Sequence, residues 1–263
     1  MTLIEAIILG IIQGLTEFLP VSSSGHIELG AVLLGTQSED NLLFSVIVHF
    51  ATALSTIVVF RQDIAQIFIG LFNGQWNDAK DYAAKILLSM VPVLIVGLAF
   101  KDQVEGFFGG RVLLVGIMLW VTGTLLTLTY YAKERMGNVT YPRSFIIGIA
   151  QAIAIMPGIS RSGSTIATAL LLGVEKSKAA KFSFLMVLGP IIGASLLELK
   201  DYFEAPAAVG AISTASLITG FLAAFVSGLL ACQWMIAIVK RGKLIYFAIY
   251  CFIVGAIAIF VAW

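Results

Sequence analysis

The feature that most constrains the fold is an internal repeat with a constant offset of 138 positions. Gly10 recurs as Gly148 and Gln13 as Gln151, in both cases inside apolar sequence. The same offset relates three further pairs, which are Ser22 and Ser160, Ser24 and Ser162, and Gly25 and Gly163. One offset kept without a gap indicates an internal duplication. We therefore divide a single domain, 1–263, into a first repeat, 1–138, and a second repeat, 139–263.

Composition places the duplicated chain in a membrane. The sequence is 59% apolar and 12% charged, whereas an average soluble domain has about 25% charged residues. The net charge of +1 says nothing about partners, and no basic run indicates a nucleic-acid partner. Cys232 and Cys251 both lie in apolar sequence and are expected to pack as buried hydrophobic residues. Apolar stretches long enough to cross a bilayer occur at 43–60, 84–100, 112–132, 182–198, 212–239 and 244–262.

Two other segments, 2–36 and 144–173, predict re-entrant hairpins. Each has an apolar helix, a break that contains proline and glycine, and a second helix of about a dozen residues. Such a helix covers about 18 Å, less than the roughly 30 Å hydrocarbon core. Three spans separate the hairpins, so the hairpins enter from opposite faces. The predicted fold is an all-α polytopic membrane protein with an inverted-topology repeat, each half a re-entrant hairpin plus three transmembrane helices.

The distribution of the 16 lysines and arginines predicts the orientation. Twelve of them lie on one predicted side of the membrane, and three lie on the other side, namely Lys101, Arg111 and Lys200. The remaining one, Arg161, lies in the second hairpin. The side richer in positive charge is expected to face the cytoplasm. The first hairpin and both chain termini then belong to the outer face.

Charged groups inside the hairpins indicate a site. Glu17 and Arg161 would be costly in lipid, so they are expected to face the interior of the bundle near each other. An ion pair that only locks the two repeats together is the structural alternative. Ser23 could be a nucleophile, but its hydroxyl needs a base, which His26 or Glu17 could supply. His49 lies in a predicted span and is expected only to pack.

Serines and glycines before each short helix predict a phosphate-binding site. They leave backbone N–H groups free at helix N-termini, which attract anions. The inverted repeat would bring two such termini together near the midplane, where the planar fork of Arg161 can hold phosphate oxygens. The predicted substrate-binding residues are Gln13, Ser22, Ser24, Gly25, Ser160, Ser162, Gly163 and Thr165.

The two breaks resemble the signature motifs of the bacterial undecaprenyl pyrophosphate phosphatase (bacitracin-resistance) family. The motifs are Gln-Gly-Leu-Thr-Glu-Phe-Leu-Pro-Val-Ser-Ser-Ser-Gly-His at 13–26 and Pro-Gly-Ile-Ser-Arg-Ser-Gly-Ser at 157–164. The resemblance covers the whole chain. It implies an enzyme of the bacterial cytoplasmic (inner) membrane that removes the terminal phosphate of undecaprenyl pyrophosphate. Recycling of the lipid carrier for peptidoglycan synthesis and bacitracin resistance would follow. The charge distribution predicts that the site of this enzyme opens to the periplasmic face.

The same resemblance implies catalytic roles for Glu17, Ser23, His26 and Arg161, and a homodimer. The family has Glu or Gln at the first motif position, and Gln13 argues against a metal role there. The sequence requires no cofactor and indicates no dedicated metal ligands, although a divalent cation, Mg²⁺ or Ca²⁺, could assist.

A transporter or polyprenyl-phosphate flippase is the alternative, because inverted repeats with broken helices also occur in carriers. The asymmetry between the copies favours a fixed chemical site, since Ser23 corresponds to Arg161 and His26 to Ser164. A membrane phosphatase of the phosphatidate type is excluded. That class expects a second, downstream histidine beside an aspartate, and His49 is not so placed.

Overall fold

The structure, a computed structural model, describes residues 1–34, 42–100, 103, 106–107, 111–133, 135–204 and 212–262. Helices make up most of these ranges, and an isolated bridge between Gly137 and Val174 is the only β-type pairing in them. The prediction of an all-α membrane protein is therefore confirmed. The helices are α1 (Leu3–Phe18), α2 (Ser23–Leu34), α3 (Leu42–Val59), α4 (Arg61–Leu71), α5 (Asp78–Ala99), α6 (Val112–Tyr131), α7 (Tyr141–Ile153), α8 (Arg161–Leu171), α9 (Lys176–Met186), α10 (Leu188–Glu204), α11 (Thr214–Arg241) and α12 (Ile245–Val261).

Both predicted hairpins contain a helix, a break and a short second helix. Helix α1 ends just before Pro20, and Leu19 is extended, with φ −68° and ψ 142°, as expected for a residue that precedes proline. The second break contains Pro157 and Gly158, whose φ is 93°. The short helices begin at Ser23 and Arg161, so the serines and glycines of the motifs lie in their first turns. Residues 35–36, the end of the first predicted hairpin, lie outside the described residues.

The predicted spans coincide with helices, with three differences. The span predicted at 244–262 is helix α12, whose 17 residues make it shorter than the described helices that could cross a membrane. By length and composition, four described helical segments could cross a membrane: 78–99, 112–131, 176–197 and 214–241. Helix α3 could form a fifth only together with α4, which bends away from it by 77° and lies where the pattern predicts a loop. Helices α9 and α10 are separated at Val187, because Pro190 has no N–H for the carbonyl of Met186 and crowds it.

Helix packing relates the two halves. Helix α1 packs along α11, and α7 packs along α5. The offset of 138 positions relates α1 to α7 and α5 to α11, so these two pairings are equivalent. Helices α6 and α12 also pack together, next to both breaks. The opposite orientation of the halves in a membrane stays a prediction. Cys232 and Cys251 are fully buried free thiols in the core beneath the breaks, as predicted.

Candidate active site

The two helix breaks contact each other. The hydroxyl of Ser162 donates a hydrogen bond to the carbonyl of Leu19 at 3.3 Å. A Cβ atom on Gly25 would lie 3.1 Å from Cα of Gly158, so glycine at position 25 lets the two backbones approach closely. The structure therefore brings the starts of α2 and α8 to one place, the arrangement that a phosphate-binding pair of helix ends requires.

Equivalent serines cap the two short helices. Ser22 Oγ accepts the N–H of Gly25 at 3.3 Å, and Ser160 Oγ accepts the N–H of Gly163 at 3.0 Å. Ser22 has a φ of 72°, an uncommon conformation for a residue with a side chain, and it orients the chain into α2. Four N–H groups of the first turns have no hydrogen-bond partner among the described residues: those of Ser23, Ser24, Arg161 and Ser162.

Glu17 organises the reactive part of the site. Ser23 Oγ donates to Glu17 Oε2 at 2.7 Å, and Gln13 Nε2 donates to the same oxygen at 3.0 Å. The Glu17 side chain is only 7% exposed, and Gln13 is fully buried. A carboxylate within hydrogen-bond distance of a serine hydroxyl can accept its proton. Of the two bases considered from the sequence, Glu17 is the one that contacts Ser23.

Two basic side chains flank this carboxylate. Arg161 Nη1 lies 3.7 Å from Glu17 Oε1, and His49 Nε2 lies 3.9 Å from Oε2. The Arg161 side chain is 30% exposed, so its other N–H groups remain able to bind an anion. His49 Nδ1 lies 2.8 Å from the carbonyl of Ser45. Because a carbonyl oxygen only accepts a hydrogen bond, Nδ1 carries the proton, and Nε2 is the ring nitrogen that faces Glu17. His49, read from the sequence as a packing residue, is thus the histidine next to the carboxylate.

His26 lies apart from the Ser23–Glu17 pair. Its Nδ1 is 2.8 Å from the carbonyl of Ser22, and its Nε2 is 2.8 Å from the hydroxyl of Tyr250. The two rings are stacked with 5.6 Å between their centroids. Within the described part of the chain, no hydrogen bond joins His26 to Ser23 or Glu17. The His26 ring therefore connects the first break to α12.

The remaining predicted binding residues line or support the breaks. Ser24 Oγ lies 3.4 Å from Ser22 Oγ, and the equivalent Ser162 lies 3.3 Å from Ser160. Thr165 donates to the carbonyl of Arg161 at 3.0 Å. These contacts build the first turns and hold Arg161 at the start of α8.

Three hydroxyl residues that the sequence analysis did not single out line the same cleft, between α1, α3, α8 and α9. Thr52, Thr56 and Ser183 share it with Glu17 and Arg161. The hydroxyl of Ser183 is buried and has no hydrogen-bond partner among the described residues, so it is available to a ligand. The cleft is about 10 Å³, roughly the room for one water molecule.

Comparisons with known proteins identify the family of this chain. Residues 6–257 match the family model described as Bacitracin resistance protein BacA. The undecaprenyl-diphosphatase of Bacteroides fragilis is 56% identical over 259 residues, covering 98% of this chain and 97% of that protein. The corresponding protein of Christiangramia forsetii is 54% identical over 265 residues, covering 100% and 99%. That of Methanobrevibacter smithii is 38% identical over 280 residues, covering 98% and 96%. The chain therefore belongs to the BacA family of bacitracin resistance proteins.

Proposed function

We propose that this protein is an undecaprenyl-diphosphatase, a hydrolase that acts on the phosphoanhydride of undecaprenyl pyrophosphate. The products are undecaprenyl phosphate, which returns to peptidoglycan synthesis, and inorganic phosphate. The observation that carries the proposal is the 2.7 Å hydrogen bond from Ser23 to Glu17, beside Arg161 and between two facing helix ends. The names of the related proteins support the substrate.

The geometry favours a two-step reaction. Ser23 Oγ forms a bond to the terminal phosphorus as Glu17 takes the hydroxyl proton, and the bond from that phosphorus to the bridging oxygen breaks. Undecaprenyl phosphate leaves, and water then hydrolyses the phosphoserine with Glu17 returning the proton to Ser23. Direct attack by water, or by His26, is the alternative mechanism.

Charge stabilisation would come from Arg161 and the free N–H groups of the two first turns. Phosphoryl transfer depends mainly on positioning and on neutralising the phosphoryl oxygens. Arg161 presents five donors in a planar fork, and its Nη1 lies 3.7 Å from Glu17 Oε1. An incoming diphosphate would compete with that carboxylate for the guanidinium.

We propose that a divalent cation, Mg²⁺ or Ca²⁺, would be bound mainly through the substrate. The described residues contain no group of three or more His, Cys, Asp or Glu side chains that could hold a metal ion. Glu17 is the only carboxylate in the described lining of the cleft. A cation there would take most of its oxygen ligands from phosphate and water. Phosphate release measured with and without a chelator tests this dependence.

The site is proposed to open to the periplasmic side of the bacterial inner membrane, with both termini outside. Support comes from the twelve cations on the opposite side. A homodimer is proposed from the family resemblance alone.

The test is phosphate release from a long-chain isoprenyl diphosphate by the purified protein in detergent. Wild type is expected to turn over, and Ser23→Ala is expected to bind substrate without releasing phosphate. Ser22→Ala is the matched control, because it removes one cap hydrogen bond, worth about 1 kcal/mol, and should retain most activity. If wild type releases no phosphate from any isoprenyl diphosphate, the enzyme proposal is wrong and the carrier alternative replaces it.

A further inference from the structure

A second polar cavity lies at the other end of α8 from Arg161. It measures about 240 Å³, is partly open, and is lined by residues at the ends of α6, α8 and α11. Four of its lining residues are cationic, and no acidic side chain is among the described lining. All four belong to the side assigned to the cytoplasm by the charge distribution. They are Lys133, Arg135, Lys176 and Arg241.

Three of these cations, Lys133, Arg135 and Arg241, differ from nearby lysines that pair with carboxylates. Lys178 lies 2.9 Å from Glu175, and Lys181 pairs with Asp63. Three of the cavity residues make no ion pair or hydrogen bond with a described residue. Like charges that share a cavity repel one another, so a bound anion would stabilise the arrangement. The three residues whose side chains have no partner among the described residues are Lys133, Arg135 and Arg241.

Stabilisation of helix ends does not account for the cluster. A cation is favourable in the last turn of a helix, which explains Arg241 in α11. Lys176 instead begins α9, where its charge opposes the positive N-terminal end of that helix. Lys133 and Arg135 lie beyond the end of α6.

Two glycines with a left-handed backbone conformation leave room for cationic side chains close to the cavity. Gly173 and Gly242 have φ values of 79° and 68°. A Cβ atom at Gly173 would lie 2.7 Å from Cδ of Arg135, and one at Gly242 would lie 3.2 Å from Nζ of Lys176. The absence of side chains at these turns lets Arg135 and Lys176 lie directly over the ends of α8 and α11.

An exposed apolar stripe on α11 leads to the same place. Val226, Leu230 and Trp234 are 54%, 64% and 57% exposed and follow one another at intervals of four. Arg241 comes seven residues after Trp234, two helical turns further on the same face. Tyr130, which lines the cavity, is 65% exposed, and tyrosine is typical of the membrane–water interface. The stripe offers acyl chains a path that ends at the cationic cavity.

We propose that this cavity binds the phosphate of an anionic glycerophospholipid from the cytoplasmic leaflet. The guanidinium groups of Arg135 and Arg241 hold the phosphate oxygens, and the acyl chains lie along the stripe of α11. Basic pockets between helix ends on this side of a membrane suit such headgroups. The bound lipid ties together the ends of three helices and does not take part in hydrolysis.

The test compares lipids on the purified full-length protein in neutral detergent. Binding is followed by native mass spectrometry and by thermal unfolding. Phosphatidylglycerol is expected to bind and raise the unfolding temperature. Phosphatidylcholine with the same acyl chains and free inorganic phosphate are expected to do neither. If phosphatidylcholine stabilises equally, the headgroup site is refuted. If inorganic phosphate alone reproduces the shift, the cavity binds a free ion and the lipid proposal is wrong.

Variants locate the site. Arg135→Gln with Arg241→Gln is expected to weaken phosphatidylglycerol binding by about 30-fold, and each single change by about fivefold. The matched control is Lys240→Gln with Lys243→Gln, which removes the same charge at the same end of α11 but outside the cavity lining. Its affinity for phosphatidylglycerol should stay within about threefold of that of the wild type. Equal losses in the two double variants would contradict a defined site. The single variants provide the same comparison if the double variant does not fold.

Discussion

Substituting glutamine for Glu17 is expected to lower kcat by about 10²- to 10⁴-fold without raising KM. The amide keeps the shape of the side chain and an acceptor oxygen for Ser23, but it cannot take the hydroxyl proton. Loss of a general base has this range, which corresponds to about 3 to 5 kcal/mol of transition-state stabilisation. KM should not rise, because a negative charge facing the diphosphate is removed and Arg161, now 3.7 Å from the carboxylate, is freed to bind it.

The assay combines steady-state phosphate release with thermal unfolding of the same samples. If Glu17 only locks the repeats through Arg161, glutamine would lower stability and leave kcat nearly unchanged. Breaking a fully buried ion pair costs about 3 to 5 kcal/mol, and the cost here is expected to be smaller because Arg161 is 30% exposed. A lower unfolding temperature with intact kcat would refute the catalytic role.

The duplicated glutamines supply a matched control. Gln13 donates to Glu17 at 3.0 Å, whereas both amide atoms of its counterpart Gln151 are buried without a hydrogen-bond partner among the described residues. Gln13→Met should lower kcat by about tenfold or more, because a hydrogen bond to a charged group is lost. Gln151→Met should leave kcat within about twofold, since an unpartnered buried amide is replaced by an apolar group.

Three other predictions address the arginine, the outlying histidine and the topology. Arg161→Lys should lose most activity with its charge retained, because an ammonium cannot bind phosphate oxygens bidentately; near wild-type turnover would show that Arg161 is only a point charge. His26→Ala and Tyr250→Phe should both lower turnover, since each removes the hydrogen bond that connects the first break to α12. The turnover of the phenylalanine variant should fall by up to about tenfold, the effect of one lost hydrogen bond. A loss of about 100-fold in the His26 variant alone would point to proton transfer by that histidine. A cysteine at Ser38 should react with an impermeant thiol reagent in intact cells and one at Asn138 only after lysis, and the reverse pattern would overturn the orientation.

The sequence was sufficient to predict the parts of the site that short-range rules determine. Pro20 and Pro157 mark the ends of helices, and serine is a common N-cap, so both breaks and the start of each short helix could be predicted. Glu17 and Arg161 are charged groups inside apolar sequence, and the cost of exposing them to lipid predicts that they meet. The 3.7 Å distance between them agrees with that expectation.

The histidines show what the sequence could not determine. His26 is three residues from Ser23, but the direction of its ring depends on Tyr250, a residue 224 positions away. His49 lies in an apolar helix, and its position near Glu17 depends on which face of α3 packs inward. Ser183 repeats Ser45 at the constant offset, a signal that could have drawn attention to it. Its place in the cleft, however, depends on how α9 packs against α8, which is a tertiary contact.

The most direct test of Ser23 as the nucleophile is to trap the phosphorylated enzyme. Wild-type protein mixed with an isoprenyl diphosphate labelled in its terminal phosphate is quenched in acid before one turnover is complete, and the labelled peptide is identified by mass spectrometry. If Ser23 attacks the terminal phosphorus, one phosphoryl group is expected on Ser23 in the wild type. The Ser23→Ala variant is expected to show neither label nor phosphate release. Turnover by Ser23→Ala, or label found on His26 in the wild type, would contradict this role of Ser23.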